Sequence, residues 1–129
     1  MKILRFDDLE IWKISIEIAL EIYKLSNKGK FLKDFGLRDQ IRRAIVSVSS
    51  NIAEGFEMGN NNDLIRFLRI AKGSTGEVRS QLFIALKLNY ITNNEFSNID
   101  NKLELLSLKI GKFISYLMKK KNDKEFKTR

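Results

Sequence analysis

Residues 92–117, TNNEFSNIDNKLELLSLKIGKFISYL, carry the pattern that decides the fold. Apolar side chains recur there in alternating steps of three and four, at Phe96, Ile99, Leu103, Leu106, Ile110, Phe113 and Leu117. This spacing places them on one face of an α-helix and is typical of helices that pack in bundles. Thr92 and Glu95 stand three residues apart, as in a capping box, and predict where this helix begins.

Three earlier segments have a similar helical periodicity. They predict helices from Asp7 to Asn27, from Gly36 to Met58 and from Asp63 to Asn89, the last two separated by the turn at residues 59–62. Asp7 and Glu10 have capping-box spacing at the start of the first of these helices. The sequence contains no proline, so little interrupts long helices.

Four helices with short connections predict an all-α fold, an antiparallel up-down-up-down four-helix bundle. The bundle is predicted over residues 1–121, and residues 122–129 are predicted to form a basic, frayed tail. Gly73 and Gly76 fall inside the third long helix, where each is less favourable than alanine by about 1 kcal/mol. We therefore expect another surface to pack closely against them.

The first helix is apolar on two sides. One set of apolar residues comprises Leu9, Trp12, Ile16, Ala19, Leu20 and Tyr23. The opposite set comprises Ile11, Ile14, Ile18, Ile22 and Leu25. A helix buried inside its own bundle is one explanation, but one four-helix layer cannot bury both sides of a member completely. We therefore predict that the second set forms a subunit interface, which makes the protein a homo-oligomer.

Composition removes most catalytic and metal-binding chemistry. The chain has no cysteine and no histidine, so thiolate nucleophiles, imidazole bases and the usual zinc ligands are missing. No apolar run is long enough for a signal peptide core or a membrane span. We expect a cytoplasmic protein with no cofactor, no metal, no membrane partner, no small-molecule substrate and no enzymatic activity.

The formal net charge of +8 favours anionic partners without proving one. Basic residues of the second and third long helices are the candidates for binding nucleic acid or a protein partner: Arg38, Arg42, Arg43, Arg66, Arg69, Lys72 and Arg79. Arginine suits bidentate contacts with RNA phosphates. Two interpretations stay open, because the same arginines could pair with Asp39, Glu54, Glu57 and Glu77 across helices or subunits.

A small polar cluster is predicted near the edge of the core. Ser47, Asn51 and Glu54 follow one another about one helical turn apart, and buried polar groups must be hydrogen-bonded. We expect a structural network between helices. A carboxylate enzyme using Glu54 or Glu77 is a weaker alternative, because neither residue has a histidine or a metal cluster to work with.

Four motifs in order resemble a known family. They are residues 6–12 (FDDLEIW), 35–44 (FGLRDQIRRA), 49–55 (SSNIAEG) and 67–74 (FLRIAKGS). Together they resemble the four-helix-bundle proteins encoded in intervening sequences of bacterial 23S rRNA genes. That family also looks like the accessory variability protein of diversity-generating retroelements, a five-subunit barrel that associates with a reverse transcriptase and nucleic acid.

The resemblance implies a homopentameric barrel and makes the basic helix residues candidates for contacting RNA or a protein partner. The functional prediction is a noncatalytic oligomer that binds structured RNA, with rRNA as one candidate, or a nucleoprotein partner. The alternative is a protein–protein adaptor whose arginines serve subunit pairing.

Overall fold

The computed structural model describes residues 3–120. A 3₁₀ turn, Phe6–Asp8, precedes five α-helices. The helices are α1 (Glu10–Leu25), α2 (Gly29–Lys33), α3 (Phe35–Glu57), α4 (Asn61–Lys87) and α5 (Asn93–Lys120). The four long helices are those that periodicity predicts, with ends shifted by a few residues. The short helix α2 lies in the first connection, where the sequence shows no clear periodicity.

The four long helices pack in a closed ring. Helix α1 packs against α3 and α5, and α4 packs against the same two helices on the other side. Ser47 of α3 contacts Ser74 of α4, whereas the later Gly55 lies against the earlier Phe67, so these helices run antiparallel. Ion pairs between α1 and α5 follow the same antiparallel sense. The all-α prediction is confirmed, and the architecture is a helical bundle.

Three of the four long helices have a side chain that caps the N-terminus by accepting a backbone N–H. Thr92 Oγ1 accepts the Glu95 N–H at 3.1 Å while Glu95 Oε1 accepts the Thr92 N–H at 2.9 Å, so the predicted capping box of α5 is confirmed. Asn60 caps α4 by accepting the N–H of Asp63. The predicted box of Asp7 and Glu10 is wrong, because Asp7 lies in the 3₁₀ turn and its carboxylate pairs with Arg5 instead.

The set of α1 residues predicted to form a subunit interface faces the core of the bundle. Ile11, Ile18, Ile22 and Leu25, predicted to form a subunit interface, lie in the core, and Ile14 packs against it half-buried. This set therefore makes no exposed surface, and the prediction is wrong. The opposite set is mixed: Leu9 and Ala19 are buried, whereas Leu20, at 68% exposed, and Tyr23 are exposed. The two sets are chemically alike, so nothing in their composition indicates which one faces the bundle.

Close packing occurs at a different glycine from those predicted. A Cβ added at Gly73 or Gly76 would meet no atom within 4 Å in the monomer, so the expected close contact is absent from the described chain. At Gly55 an added Cβ would lie 2.7 Å from the Cβ of Phe67. This glycine lets α3 and α4 approach each other.

The basic tail predicted at residues 122–129 lies outside the described residues. Across residues 3–120, no helix is both long enough and apolar enough to cross a membrane.

Candidate nucleic-acid interface

Two adjoining grooves follow the surface where α4 and α5 pack together, which we call the α4–α5 seam. The first groove, of about 460 Å³, is lined by Lys72, Ser107, Leu108, Gly111, Lys112, Ser115, Tyr116 and Lys119. The second groove, of about 540 Å³, is lined by Asn62, Ile65, Arg66, Arg69, Ile70 and Met118. Among residues 3–120, both grooves are lined by basic, neutral polar and apolar side chains, and no carboxylate belongs to either lining.

Small residues make room for the first groove. Ser107, Gly111 and Ser115 recur every four residues along α5 and therefore follow one another on the side of α5 that lines the groove. A Cβ at Gly111 would lie 3.4 Å from the Cε of Lys72, so the lysine stem lies over this glycine. The ammonium group of Lys72, a residue of α4, therefore lies at the seam, opposite Lys112 and Lys119 of α5.

The cations of the seam have few acidic neighbours. Among the described residues, no ion pair forms at Arg69, Lys72, Lys112 or Lys119. Arg69 directs one guanidinium nitrogen at the Sδ of Met118, 3.5 Å away. Because these charges have no ion-pair partner within residues 3–120, the described part of the chain concentrates positive potential at the seam.

Arg66 stands at the edge of the seam with one acidic neighbour. Its guanidinium is 3.3 Å from Asp63 Oδ1 and lies over the ring of Phe67, with 4.5 Å between the guanidinium carbon and the ring centroid. Hydrogen bonds from Asn60 and then from Arg66 hold the pKa of Asp63 below its ordinary value. Arg66 is exposed, and an ion pair of this kind is worth little in water, so the side chain remains available to a phosphate.

Arg38 and Arg42 make their contacts inside the monomer. Arg42 donates from Nε to Ser26 Oγ at 2.9 Å and from Nη2 to the Tyr23 carbonyl at 3.4 Å, which caps the end of α1 with a positive charge. Arg38 pairs with Asp39 at 2.8 Å and donates to the carbonyl of Leu32. Their sequence positions suggested a ligand-binding face, but two guanidinium nitrogens of each side chain donate within the monomer.

Arg79 is also engaged, in an ion pair that links α4 to α5. Its Nε and Nη2 atoms donate to both carboxylate oxygens of Asp100, at 2.8 and 3.2 Å. The hydrogen bond to Asp100 is the main reason that the pKa of Arg79 is raised. Its partner was not among the four carboxylates suggested by the sequence. Arg43 is exposed on the far side of the ring, beside a shallow groove between α1 and α3.

Two of the three predicted network residues form a network. Asn51 Nδ2 donates to the Ser47 carbonyl at 2.8 Å and to Ser47 Oγ at 3.0 Å. Ser47 Oγ lies 3.0 Å from Ser74 Oγ, which joins α3 to α4. Glu54 is exposed and is not part of this network, so its assignment is wrong.

Sequence reasoning missed Lys112 and Lys119. The two lysines are seven residues apart on the outer side of α5, and this spacing puts them on one face of the helix. Attention to arginines on α3 and α4 left the lysines of α5 out of the candidate set. Within residues 3–120, no group of three or more acidic, histidine or cysteine side chains is placed to hold a metal ion.

The fold and the seam define the class of this protein, a small helical bundle with a cation-lined groove between two helices. The family model described as 23S rRNA-intervening sequence protein matches residues 7–112, and the chain belongs to that family. A solved structure from Bacteroides thetaiotaomicron VPI-5482, described as a protein of unknown function from the S23 ribosomal protein family, is similar with a TM-score of 0.74 and 26% sequence identity. The match covers 81% of this chain and 97% of that chain. None of the curated proteins is significantly similar to the chain.

Proposed function

We propose that this protein is a noncatalytic, self-associating RNA-binding protein that contacts phosphates through the α4–α5 seam. One observation carries the proposal: Arg69, Lys72, Lys112 and Lys119 gather along two adjoining grooves to which the described part of the chain contributes no carboxylate. Unpaired cations on a rigid helical surface are suited to phosphodiester oxygens, since each phosphate contact releases condensed counterions. The family's name connects its members with an intervening sequence of 23S rRNA, which makes rRNA a candidate ligand.

The proposal reassigns the basic residues predicted from sequence. Arg66, Arg69 and Lys72 stay as phosphate-binding residues, and Lys112 and Lys119 join them. Arg38, Arg42 and Arg79 take structural roles, because two guanidinium nitrogens of each donate within the monomer. Arg43 lies on the opposite side of the ring, in the lining of the groove between α1 and α3, and is not assigned to phosphate binding.

The test is the salt dependence of RNA binding by the purified protein. If the four unpaired cations each neutralise one phosphate of a single strand, log K should fall against log salt with a slope of about −3 per subunit. Fluorescence anisotropy of labelled RNA, measured over a series of potassium chloride concentrations, gives this slope. Absent binding at low ionic strength, or binding that does not respond to salt, would contradict the proposal.

Self-association is proposed on the exposed side of α1. Tyr23 and Val46 line the shallow groove between α1 and α3, and Leu20 lies one turn before Tyr23. Exposed apolar side chains gathered on one face are typical of protein interfaces. The relation to the accessory variability protein that the sequence suggests would make the assembly a pentamer. Light scattering at low and high salt would give the mass, and a monomer under both conditions would contradict self-association.

The same exposed face supports a second candidate, a protein–protein adaptor. In that case the face formed by Leu20, Tyr23 and Val46 binds a different protein, and the seam cations have no RNA to bind. One experiment distinguishes the two candidate functions. Charge reversal at the seam abolishes RNA binding under the first candidate, whereas under the second there is no salt-sensitive RNA affinity to lose.

A further inference from the structure

We infer that the α4–α5 seam takes a single-stranded RNA segment, not a duplex, with Tyr116 as a platform on which a base stacks. This inference rests on the proposed function and names the form of RNA that the seam would bind. Its support comes from the shape of the first groove, from the apolar side chains among its lysines, and from the small residues that line it.

The shape of the groove favours a narrow ligand. The groove of about 460 Å³ formed by side chains of α4 and α5 can hold part of an extended chain and is far too small to hold a double helix. A duplex resting on the seam would touch the ammonium groups of Lys112 and Lys119 at its phosphates. It would leave the remainder of the groove, where the Lys72 stem lies over Gly111, without a contact.

Exposed apolar groups stand among the cations. Leu108 is 59% exposed and Tyr116 is 39% exposed, and both line the groove that Lys112 and Lys119 border. Tyr116 stacks on Phe113, with 6.5 Å between ring centroids and 24° between planes, which holds the ring in place. A duplex keeps its bases inside and offers nothing to these side chains. A single strand exposes base faces, and a positive groove with an aromatic platform is the usual means of binding it.

The groove lining supplies both space and hydrogen bonds. Ser107 and Ser115 flank Gly111 and carry hydroxyl groups that can donate to phosphate oxygens or bond with ribose hydroxyls. The strand can continue along α4 from Lys72 towards Asn62, a distance of about 15 Å at the helical rise per residue. The seam therefore has room for a short run of nucleotides, with phosphates towards the cations and one base on Tyr116.

The experiment compares two RNA probes on the wild-type protein and three variants. The probes are a labelled oligouridylate of about 12 nucleotides, within the usual range of single-strand site sizes, and a blunt RNA duplex of the same strand length. Tyr116→Ala removes the platform, and Gly111→Leu fills the groove against a flexible lysine stem. Leu105→Ala, at an exposed apolar residue of α5 outside both groove linings, is the matched control. Circular dichroism melts establish that each variant is folded.

Wild-type protein should bind the single strand more tightly than the duplex. Tyr116→Ala should weaken single-strand binding about tenfold, since one base–aromatic stack contributes on that scale. Gly111→Leu should weaken single-strand binding by a similar factor, because its side chain fills the groove. Both variants should leave duplex binding nearly unchanged. Leu105→Ala should bind both probes like the wild type. Equal affinity of the wild type for the two probes, or variants that leave single-strand affinity unchanged, would overturn the inference while leaving RNA binding itself intact.

Two further outcomes would also contradict the inference, and the first would contradict the proposed function as well. If neither probe binds at low ionic strength, the inference and the proposed function both fail. If polyglutamate displaces the oligouridylate as effectively as unlabelled oligouridylate does, the seam recognises acidic chains in general, and the assignment of a base-stacking site is wrong.

Discussion

The Cβ of Phe67 occupies the space that a side chain at Gly55 would need, since an added Cβ would lie only 2.7 Å from it. Leu64 closes the same space, with its Cδ1 at 3.2 Å and its Cα at 3.5 Å. Neither the Phe67 Cβ nor the Leu64 Cα can move without moving a helix. This contact therefore fixes how closely α3 and α4 pack.

Gly55→Ala should lower the free energy of unfolding by about 1–3 kcal/mol, because overpacking outweighs the gain in helix propensity. Chemical denaturation monitored by circular dichroism measures the change. Gly73→Ala is the control and should raise the free energy of unfolding by up to about 1 kcal/mol, because nothing in the monomer lies within 4 Å of its added Cβ. A stabilising Gly55→Ala would show that α3 and α4 are further apart than described.

The orientation of α1 predicts opposite effects at two neighbouring apolar residues. Ile18 is fully buried, so Ile18→Ala should reduce the free energy of unfolding by about 2–5 kcal/mol. Leu20→Ala should leave that free energy nearly unchanged and should weaken self-association. Thermal melts and sedimentation velocity of the two variants, run side by side, measure both effects. A large destabilisation from Leu20→Ala at concentrations where the protein is monomeric would mean that α1 is rotated.

The ion pair of Arg79 and Asp100 predicts a measurable coupling between α4 and α5. The Asp100 side chain is only 14% exposed, so Arg79→Ala leaves a shielded carboxylate without its partner and should cost about 1–3 kcal/mol. A double-mutant cycle with Asp100→Asn should give a favourable coupling energy. Lys109→Ala breaks the more exposed pair with Glu10 and should cost less than about 1 kcal/mol. Equal costs for the two pairs would contradict this account.

The capping box of α5 predicts a stability change in acid. The Thr92 N–H and then Lys28 lower the pKa of Glu95 below its ordinary value of 4.5. A group whose pKa is depressed by folding stabilises the protein above the unfolded pKa, and this contribution is lost as pH falls through the folded pKa. Glu95→Gln should therefore show a smaller loss of stability than the wild type below about pH 4.5. Denaturant midpoints measured from pH 7 down to pH 3 make the comparison, and parallel curves would exclude this role for Glu95.

The sequence predicts the four long helices and the buried face of α5 well, because helical periodicity and capping depend on residues close together in the chain. The three-four alternation of α5 and the Thr92–Glu95 box each depend on residues close together in the chain, and both are found in the structure. The orientation of α1 is not local information. Its two apolar sets differ little in composition, so only the packing of α3 and α5 against it decides that Ile18 is buried and Leu20 exposed.

The candidate site is predictable only in part for a similar reason. The positions of Arg66, Arg69 and Lys72 on the outer side of α4 follow from helical periodicity. The engagement of Arg42 with Ser26 and of Arg79 with Asp100 depends on contacts between residues distant in the sequence. The approach of Lys112 and Lys119 to Lys72 depends on the antiparallel pairing of α4 with α5.

The central claim is that RNA binds at the α4–α5 seam, and the most direct measurement is RNA affinity after paired charge reversal. The variant Lys72→Glu with Lys112→Glu places two carboxylates in the groove. The control, Lys30→Glu with Lys33→Glu, makes the same change in net charge at exposed positions on α2, outside both groove linings and outside the groove between α1 and α3. At about 0.1 M salt, where the Debye length is about 10 Å, the seam variant should lose at least about a hundredfold in affinity, and the control should lose much less because long-range charge effects are screened. Equal losses in the two variants, or a larger loss in the control, would contradict a binding site at the seam.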